Sequence, residues 1–457
     1  LVLYCAAGLK PPVEEIARAY ERESGVSVQL QYGGSGTLLS NIRVTKSGDL
    51  FVAGDDSFIR LGREYGVIAE AIPLAQQRPV IITRPGNPQR IASIADLLRV
   101  NVALANPDAA SVGKTTQRVL DKAGSWAALK AHAKVFKPTV NDIANDVKIG
   151  AVDAGIVWDA TARQYPELAV VRVPELDAAL ETVTIGVLTC SRQPTAALRF
   201  ARYLGAGDKG LPVFSRHHFE AVDGDAWAVE PAITLFSGAM LRPGIETTLK
   251  EFERREGCRI TTVYNGCGIL TAQMRTGQRP DAYFSCDTTF MNTVADLYLA
   301  PTNVVDNHLM ILVAKGNPLN IRAPADLLRP DVRVGLPHHE KSAMGNVAWQ
   351  MLVDLGLYDK LAAQLKVESP TGDFLVNQLR TGSLDAIIAC RSNWAGVKEH
   401  LDAIPIAHRL AQMTQPYAVG KQTRYRQLAV RLQAALLAAE SRQRFEAAGF
   451  GWRGGNP

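Results

Sequence analysis

The sequence predicts an α/β protein in which one fold is written twice. Three observations lead there. A chain of 457 residues exceeds what one ordinary core organises, so two or more domains are expected. Short apolar strands alternate with amphipathic helices, which argues for mainly parallel sheets covered by helices. The chain also repeats itself. Tyr32, Gly34, Gly36, Asp49, Asp55 and Phe58 match Tyr264, Gly266, Gly268, Asp281, Asp287 and Phe290, each pair 232 positions apart. Leu3, Ala7, Leu9, Pro11 and Gly25 match Leu235, Ala239, Leu241, Pro243 and Gly257 at the same offset. Gly86-Asn87-Pro88 answers Gly316-Asn317-Pro318 at 230, and Asp153-Ala154 answers Asp385-Ala386 at 232 again. Ordered matches over about 150 residues of each copy mark duplication of a whole domain, not a stack of short repeats. The copies are expected at 1–230 and 231–457, with a linker at 223–231.

Each copy opens on an apolar strand, Leu1 to Tyr4 in the first. Val13, Ile16, Ala17 and Tyr20 follow at i, i+3, i+4 and i+7, which predicts a helix with one buried face. Pro11 and Pro12 fit its first turn and Gly25 its end. Tyr32-Gly33-Gly34-Ser35-Gly36 predicts a second strand running into a second helix start. Such helix starts collect unpaired N–H groups and a partial positive charge, so they suit an anion. Arg78–Thr83, Val102–Ala105 and Ala154–Trp158 read as strands, and Ser93–Leu98 as a capped helical turn. Thr182–Leu188 reads as a late strand crossing back to the first sheet.

Composition narrows the function. Hydrophobic residues make up 47% and charged residues 21%, which are globular values. The net charge of +5 is spread without a basic block, so nucleic acid is not an expected partner, while weak attraction for anions is allowed. No apolar run approaches the roughly 18 residues that a membrane-spanning helix needs. A leader removed ahead of Leu1 is compatible with a chain that opens directly on a strand. None of the six cysteines forms a CxxC pair, which argues against a zinc ribbon or thioredoxin motif. Gly34-Ser35-Gly36 lacks the spacing of a nucleophile elbow, and Gly33–Gly36 lacks the Lys-Ser/Thr of a phosphate-binding loop. Asp55 and Asp56 are adjacent, so on a strand they point to opposite faces and make a poor acid/base pair. An enzyme is therefore not expected, and neither is a cofactor.

Ala6-Ala7-Gly8-Leu9, Gly34-Ser35-Gly36 and Asp49-Leu50-Phe51-Val52-Ala53-Gly54-Asp55 follow one another in the first copy. Asn106–Gly113 and Asp153-Ala154-Gly155-Ile156-Val157-Trp158 come later. In this order they resemble the type II periplasmic solute-binding proteins of ABC importers, and most closely the molybdate/tungstate-binding proteins. The resemblance covers most of both copies; a tandem pair departs from the family's usual single copy. It implies two α/β lobes per copy with a hinge and a ligand cleft. The second lobes are expected at about 83–185 and 313–417, with crossovers near Pro79–Arg84 and Val183–Thr189. Closure on ligand would be a hinge motion.

The resemblance also implies site residues. Gly8 stands where the family has its first serine, keeping an N–H and losing a hydroxyl. Ser35 matches the second serine; alone it reads equally as a turn residue in a glycine-rich loop. Ser111, Val112 and Gly113 occupy the far-lobe loop, and Trp158 stands in place of a tyrosine, unless it is simply a core aromatic. In the second copy Met240, Cys267, Met344 and Cys390 take the corresponding places. Three readings of those sulfurs stay open: a soft-metal site, hydrophobic filling of a degenerate cleft, or a Cys267–Cys390 disulfide. The expectation is an extracytoplasmic, monomeric solute-binding protein whose first copy binds a small oxyanion for ABC importer membrane subunits. The alternative is a sensor or scaffold module with vestigial clefts that binds a partner protein.

Overall fold

A computed structural model describes residues 1–455 of the chain. The chain divides into two compact units, Leu1–Val229 and Glu230–Pro457. The expected linker is not a free tether. Trp227 packs edge-on against Tyr203, and its amide bonds the Asp208 carboxylate, so its first part is docked on unit 1. No helix among the described residues is long and apolar enough to cross a membrane.

Unit 1 has two sheets. The first runs in the order Glu220–Ala221, Ile68–Gln77, Glu181–Leu188, Leu50–Ala53, Val2–Ala6, Gln29–Gly33. The second runs Val135–Lys137, Val102–Ala105, Ala154–Trp158, Pro79–Thr83, Ala169–Val171. Each sheet has its own core, one around Leu3, Ile16, Tyr20 and Phe200, the other around Ile81, Leu104, Ile143 and Ile156. These are the two lobes. The opening helix, Lys10–Ser24, buries Val13, Ile16, Ala17 and Tyr20, as its spacing requires. Gly25 ends it at φ +70°, where a side chain would be strained, and its amide closes on the Glu21 carbonyl.

Unit 2 repeats the plan with one change. Its strands join into a single ten-stranded sheet, because Thr302–Ala314 serves both lobes. Thr302–His308 pairs with Gln412–Tyr417 in the first lobe, and Leu309–Val313 pairs with Ala386–Cys390 in the second. In unit 1 the equivalent path is cut at Arg78, between Ile68–Gln77 and Pro79–Thr83. Pro79 faces Trp158 as Leu309 faces Cys390. Proline has no N–H to give, whereas the Leu309 amide donates to the Ala411 carbonyl at 2.7 Å.

The lobe boundaries differ from the sequence expectation. Pro79–Thr83 lies in the second lobe's sheet, so the outgoing crossing precedes it. All of Glu181–Leu188 lies in the first lobe's sheet, so the return crossing comes before residue 181 and not near 183–189. In unit 2 likewise, Gln412–Val419 already belongs to the first lobe. Strand pattern alone shows where a strand is, but not which sheet receives it.

Candidate functional site

In unit 1, four helices begin at one cavity between the lobes: Lys10–Ser24, Ser35–Thr45, Ser111–Lys122 and Val140–Lys148. The cavity measures about 20 Å³. On that measure a water needs roughly 10–15 Å³, so in this arrangement the cavity has room for about one water. Gly8, Ser35, Ser111, Val112 and Trp158 all line it, beside Gln77 and Thr139, and no lining residue is charged. The first two come from one lobe and the next three from the other.

The lobes meet on backbone. The Gly36 amide donates to the Ala109 carbonyl across the cleft at 2.8 Å. A Cβ at Gly36 would overlap the Asp108 carbonyl oxygen, so this close approach needs glycine. Side chains add to it. Ser111 donates its hydroxyl to Ser35 Oγ at 2.9 Å, and the Gly54 amide donates to the same atom at 3.1 Å. Gln164 donates to the Gly8 carbonyl at 2.9 Å. Thr115 donates to Asp55, and Arg118 pairs with Glu181. Burial pushes the Asp55 carboxyl up from its ordinary range, and the nearby Glu181 charge adds to the rise.

Sequence reasoning missed two polar groups here. Gln77 donates to the Gly54 carbonyl at 2.8 Å and leaves its Oε1 buried without a partner. Thr161 also has a buried hydroxyl without a partner. A Cβ on Gly8 would come within 2.8 Å of that Thr161 oxygen and 2.9 Å of Val140 Cγ2. A serine therefore does not fit at Gly8 in this arrangement. The one available signal for Gln77 was a polar residue closing an apolar strand just before Arg78-Pro79.

Unit 2 has a cavity of about 30 Å³ in the same place. Met240, Cys267 and Met344 line it. Cys390 does not. It is fully buried behind the wall, its sulfur 3.7 Å from Met413 Sδ, because a cysteine at the Trp158 position is too short to reach the cavity. Nor is there a Cys267–Cys390 disulfide; all six cysteines are free. The sulfur that meets Cys267 belongs to Cys286, with the two Sγ atoms 2.8 Å apart. The hydrogen bond to Cys267, and then burial, push the Cys286 thiol well up. Cys286 stands where unit 1 has Gly54, one residue before the matched Asp287, so the 232 offset already pointed to it. Ser111 has become Ala343, and Val140 has become Gly372, which removes the methyl group that crowds Gly8 and leaves room for Met240. Asp373 adds a carboxylate to the lining, held by Asn393 at 3.1 Å.

Comparison with known proteins agrees with this duplicated geometry. The family described as bacterial extracellular solute-binding protein matches residues 1–220 and again 233–451. The chain is 31% identical over 199 residues to a binding protein of Haemophilus influenzae, a stretch covering 43% of this chain and 81% of that one. It is 28% identical over 211 residues to the molybdate-binding protein ModA of Mycobacterium tuberculosis, covering 45% and 79%. Among solved structures, the periplasmic molybdate-binding protein of Azotobacter vinelandii aligns with 48% of this chain and 99% of its own, at 16% identity and a TM-score of 0.44. The sulfate-binding protein SubI of M. tuberculosis aligns with 48% and 86%, at 18% identity and a TM-score of 0.43. The chain belongs to the bacterial extracellular solute-binding protein family and carries that family's α/β fold twice in tandem.

Proposed function

We propose that unit 1 binds a small tetrahedral oxyanion of the molybdate/tungstate type and presents it, outside the cytoplasm, to the membrane subunits of an ABC importer. One observation carries the reading. The Ser35 and Ser111 hydroxyls and four helix starts converge on a cavity with no charged lining. Helix N-termini favour a dianion through their N–H groups and dipoles, so no lysine or arginine is needed. A neutral polar lining also fits an ion that must be released again. The 28% identity to a molybdate-binding protein supports the same ligand class.

Calorimetric titration of the whole chain with molybdate, tungstate, sulfate and phosphate tests this. Heat from at least one anion is expected, with saturation at one ion per chain. Ser35→Ala should weaken that binding by about 1–3 kcal/mol, because a buried donor is lost. No heat from any of the four, together with melting curves that none of them shifts, would overturn the oxyanion reading and favour a scaffold role.

A further inference from the structure

Four residues lining the unit 1 cavity are Gly8, Ser35, Gly54 and Val112. Their counterparts in unit 2 are Met240, Cys267, Cys286 and Met344, and all four line the unit 2 cavity. Every one of the four carries sulfur. The chain has 6 cysteines and 7 methionines in 457 residues, so random placement would put fewer than one among the fourteen residues of this lining. Packing alone gives no reason for sulfur to gather at these four positions.

We propose that the unit 2 cleft takes a single soft, thiophilic cation, Cu(I), through the Cys267 and Cys286 thiolates, with the Met240 and Met344 thioethers completing the ligand set. The inference rests on the reading of each unit as a solute-binding domain. Thiolate and thioether sulfur select Cu(I) over hard cations. The lining is also less suited to an oxyanion than that of unit 1. The Ser35 and Ser111 hydroxyls are replaced, because Cys267 and Ala343 stand at those two places, while Thr139 keeps its counterpart in Thr371 and Ser342 adds a hydroxyl. The single charged lining residue is Asp373, whose carboxylate repels an oxyanion and tolerates a cation.

Among the described residues no group of three or more His, Cys, Asp and Glu side chains stands ready to hold a metal. The set therefore needs its thioethers as well as its two thiols. The thiols are placed to share one ion. Their Sγ atoms lie 2.8 Å apart, and metal–thiolate bonds of about 2.3 Å let two sulfurs stand up to about 4.6 Å apart around an ion. Binding an ion between them calls for a rotation of either cysteine that widens the present separation.

The test uses the full chain carrying Cys190→Ser, which removes the one half-exposed thiol. The protein is reduced, kept anaerobic, and titrated with Cu(I) against a chromophoric Cu(I) chelator. The expected result is one Cu(I) retained per chain, with a sulfur-only first shell at the copper X-ray absorption edge. Cys267→Ser with Cys286→Gly restores the unit 1 residues and should lower retention by roughly 100-fold or more. Met344→Val, which also restores a unit 1 residue, should lower it several-fold and carries the test if the double variant does not fold. No retained Cu(I), equal retention after the substitutions, or a nitrogen/oxygen shell overturns the proposal. Molybdate titration of the same samples separates the failures. Anion heat without Cu(I) retention rejects this site alone, while loss of both rejects the solute-binding reading beneath it.

Discussion

The Gly54 amide donates to Ser35 Oγ at 3.1 Å, and the Cys286 amide donates to Cys267 Sγ at 3.1 Å. Each acceptor is the first residue of a helix whose N-cap is glycine, Gly34 in one unit and Gly266 in the other. The backbone frame of the two clefts is thus the same, and only the atom held in it has changed from oxygen to sulfur. Duplication freed one copy to change its lining while the strand ends and helix starts stayed in place. The lesson is that the frame specifies a site between two lobes, and a few side chains specify what it takes. The crossing strand shows the converse. One residue, Pro79 against Leu309, cuts the path in unit 1 and leaves it whole in unit 2.

The largest expected difference between the units lies outside the clefts. In unit 2, Arg431 pairs with Glu256 through two hydrogen bonds of 2.6 and 3.0 Å, and both side chains are buried. Ser24 occupies the Glu256 position in unit 1, where its hydroxyl donates to the Tyr20 carbonyl and accepts from the Val26 amide. Glu256→Ala leaves the Arg431 charge buried without that carboxylate, which costs about 3–5 kcal/mol. Scanning calorimetry should show the unit 2 transition fall steeply while the unit 1 transition stays. Equal movement of both would break the comparison, because it would mean that the units do not unfold separately.

Lobe contact gives the next effect. A Cβ at Gly36 overlaps the Asp108 carbonyl oxygen, whereas one at Gly268 meets the Glu340 carbonyl oxygen at 2.7 Å. Gly36→Ala should hold the unit 1 lobes apart and weaken anion binding by about 1–3 kcal/mol, the usual cost of overpacking. Gly268→Ala should leave anion affinity unchanged. Titration of both variants with the same anion decides the point. A loss from Gly268→Ala would place anion binding in unit 2 and reverse the assignment.

Much of this was legible because it is local. Pro11-Pro12 with Gly25, and Gly34-Ser35-Gly36, mark helix starts and stops through backbone rules that need no tertiary contact. The repeat then doubled each signal. What stayed hidden depends on contacts far apart in the chain. Gln77 reaches Gly54, and Thr161 approaches Gly8, only once the sheets are assembled. Cys390 was expected in the cleft because it occupies the Trp158 position, but position does not carry side-chain length. Cys286 was missed for the opposite reason, since its counterpart Gly54 contributes only backbone and so has no side chain to suggest a role.

The smallest effect concerns one carboxylate in two settings. Asp55 and Asp287 each cap a helix, accepting the Ser57 and Phe290 amides. Thr115 donates to Asp55 from the other lobe, but Val347 occupies that place in unit 2, and Asp287 Oδ2 is buried without a partner. Burial raises both carboxyls, Asp287 to about 6. For Asp55 the folded value lies above the unfolded one of about 3.9. Between the two, the folded chain binds more protons than the unfolded chain, so stability falls as pH rises through that window. Asp55→Asn keeps a capping side chain and removes the titration. The variant's unit 1 transition should lie above that of the unchanged chain at pH 7, and the gap should close towards pH 4. Calorimetry at pH 4, 5, 6 and 7 measures the gap directly. A gap that does not vary with pH would mean that Asp55 titrates alike in both states, and that its burial in the closed unit 1 cleft carries no cost.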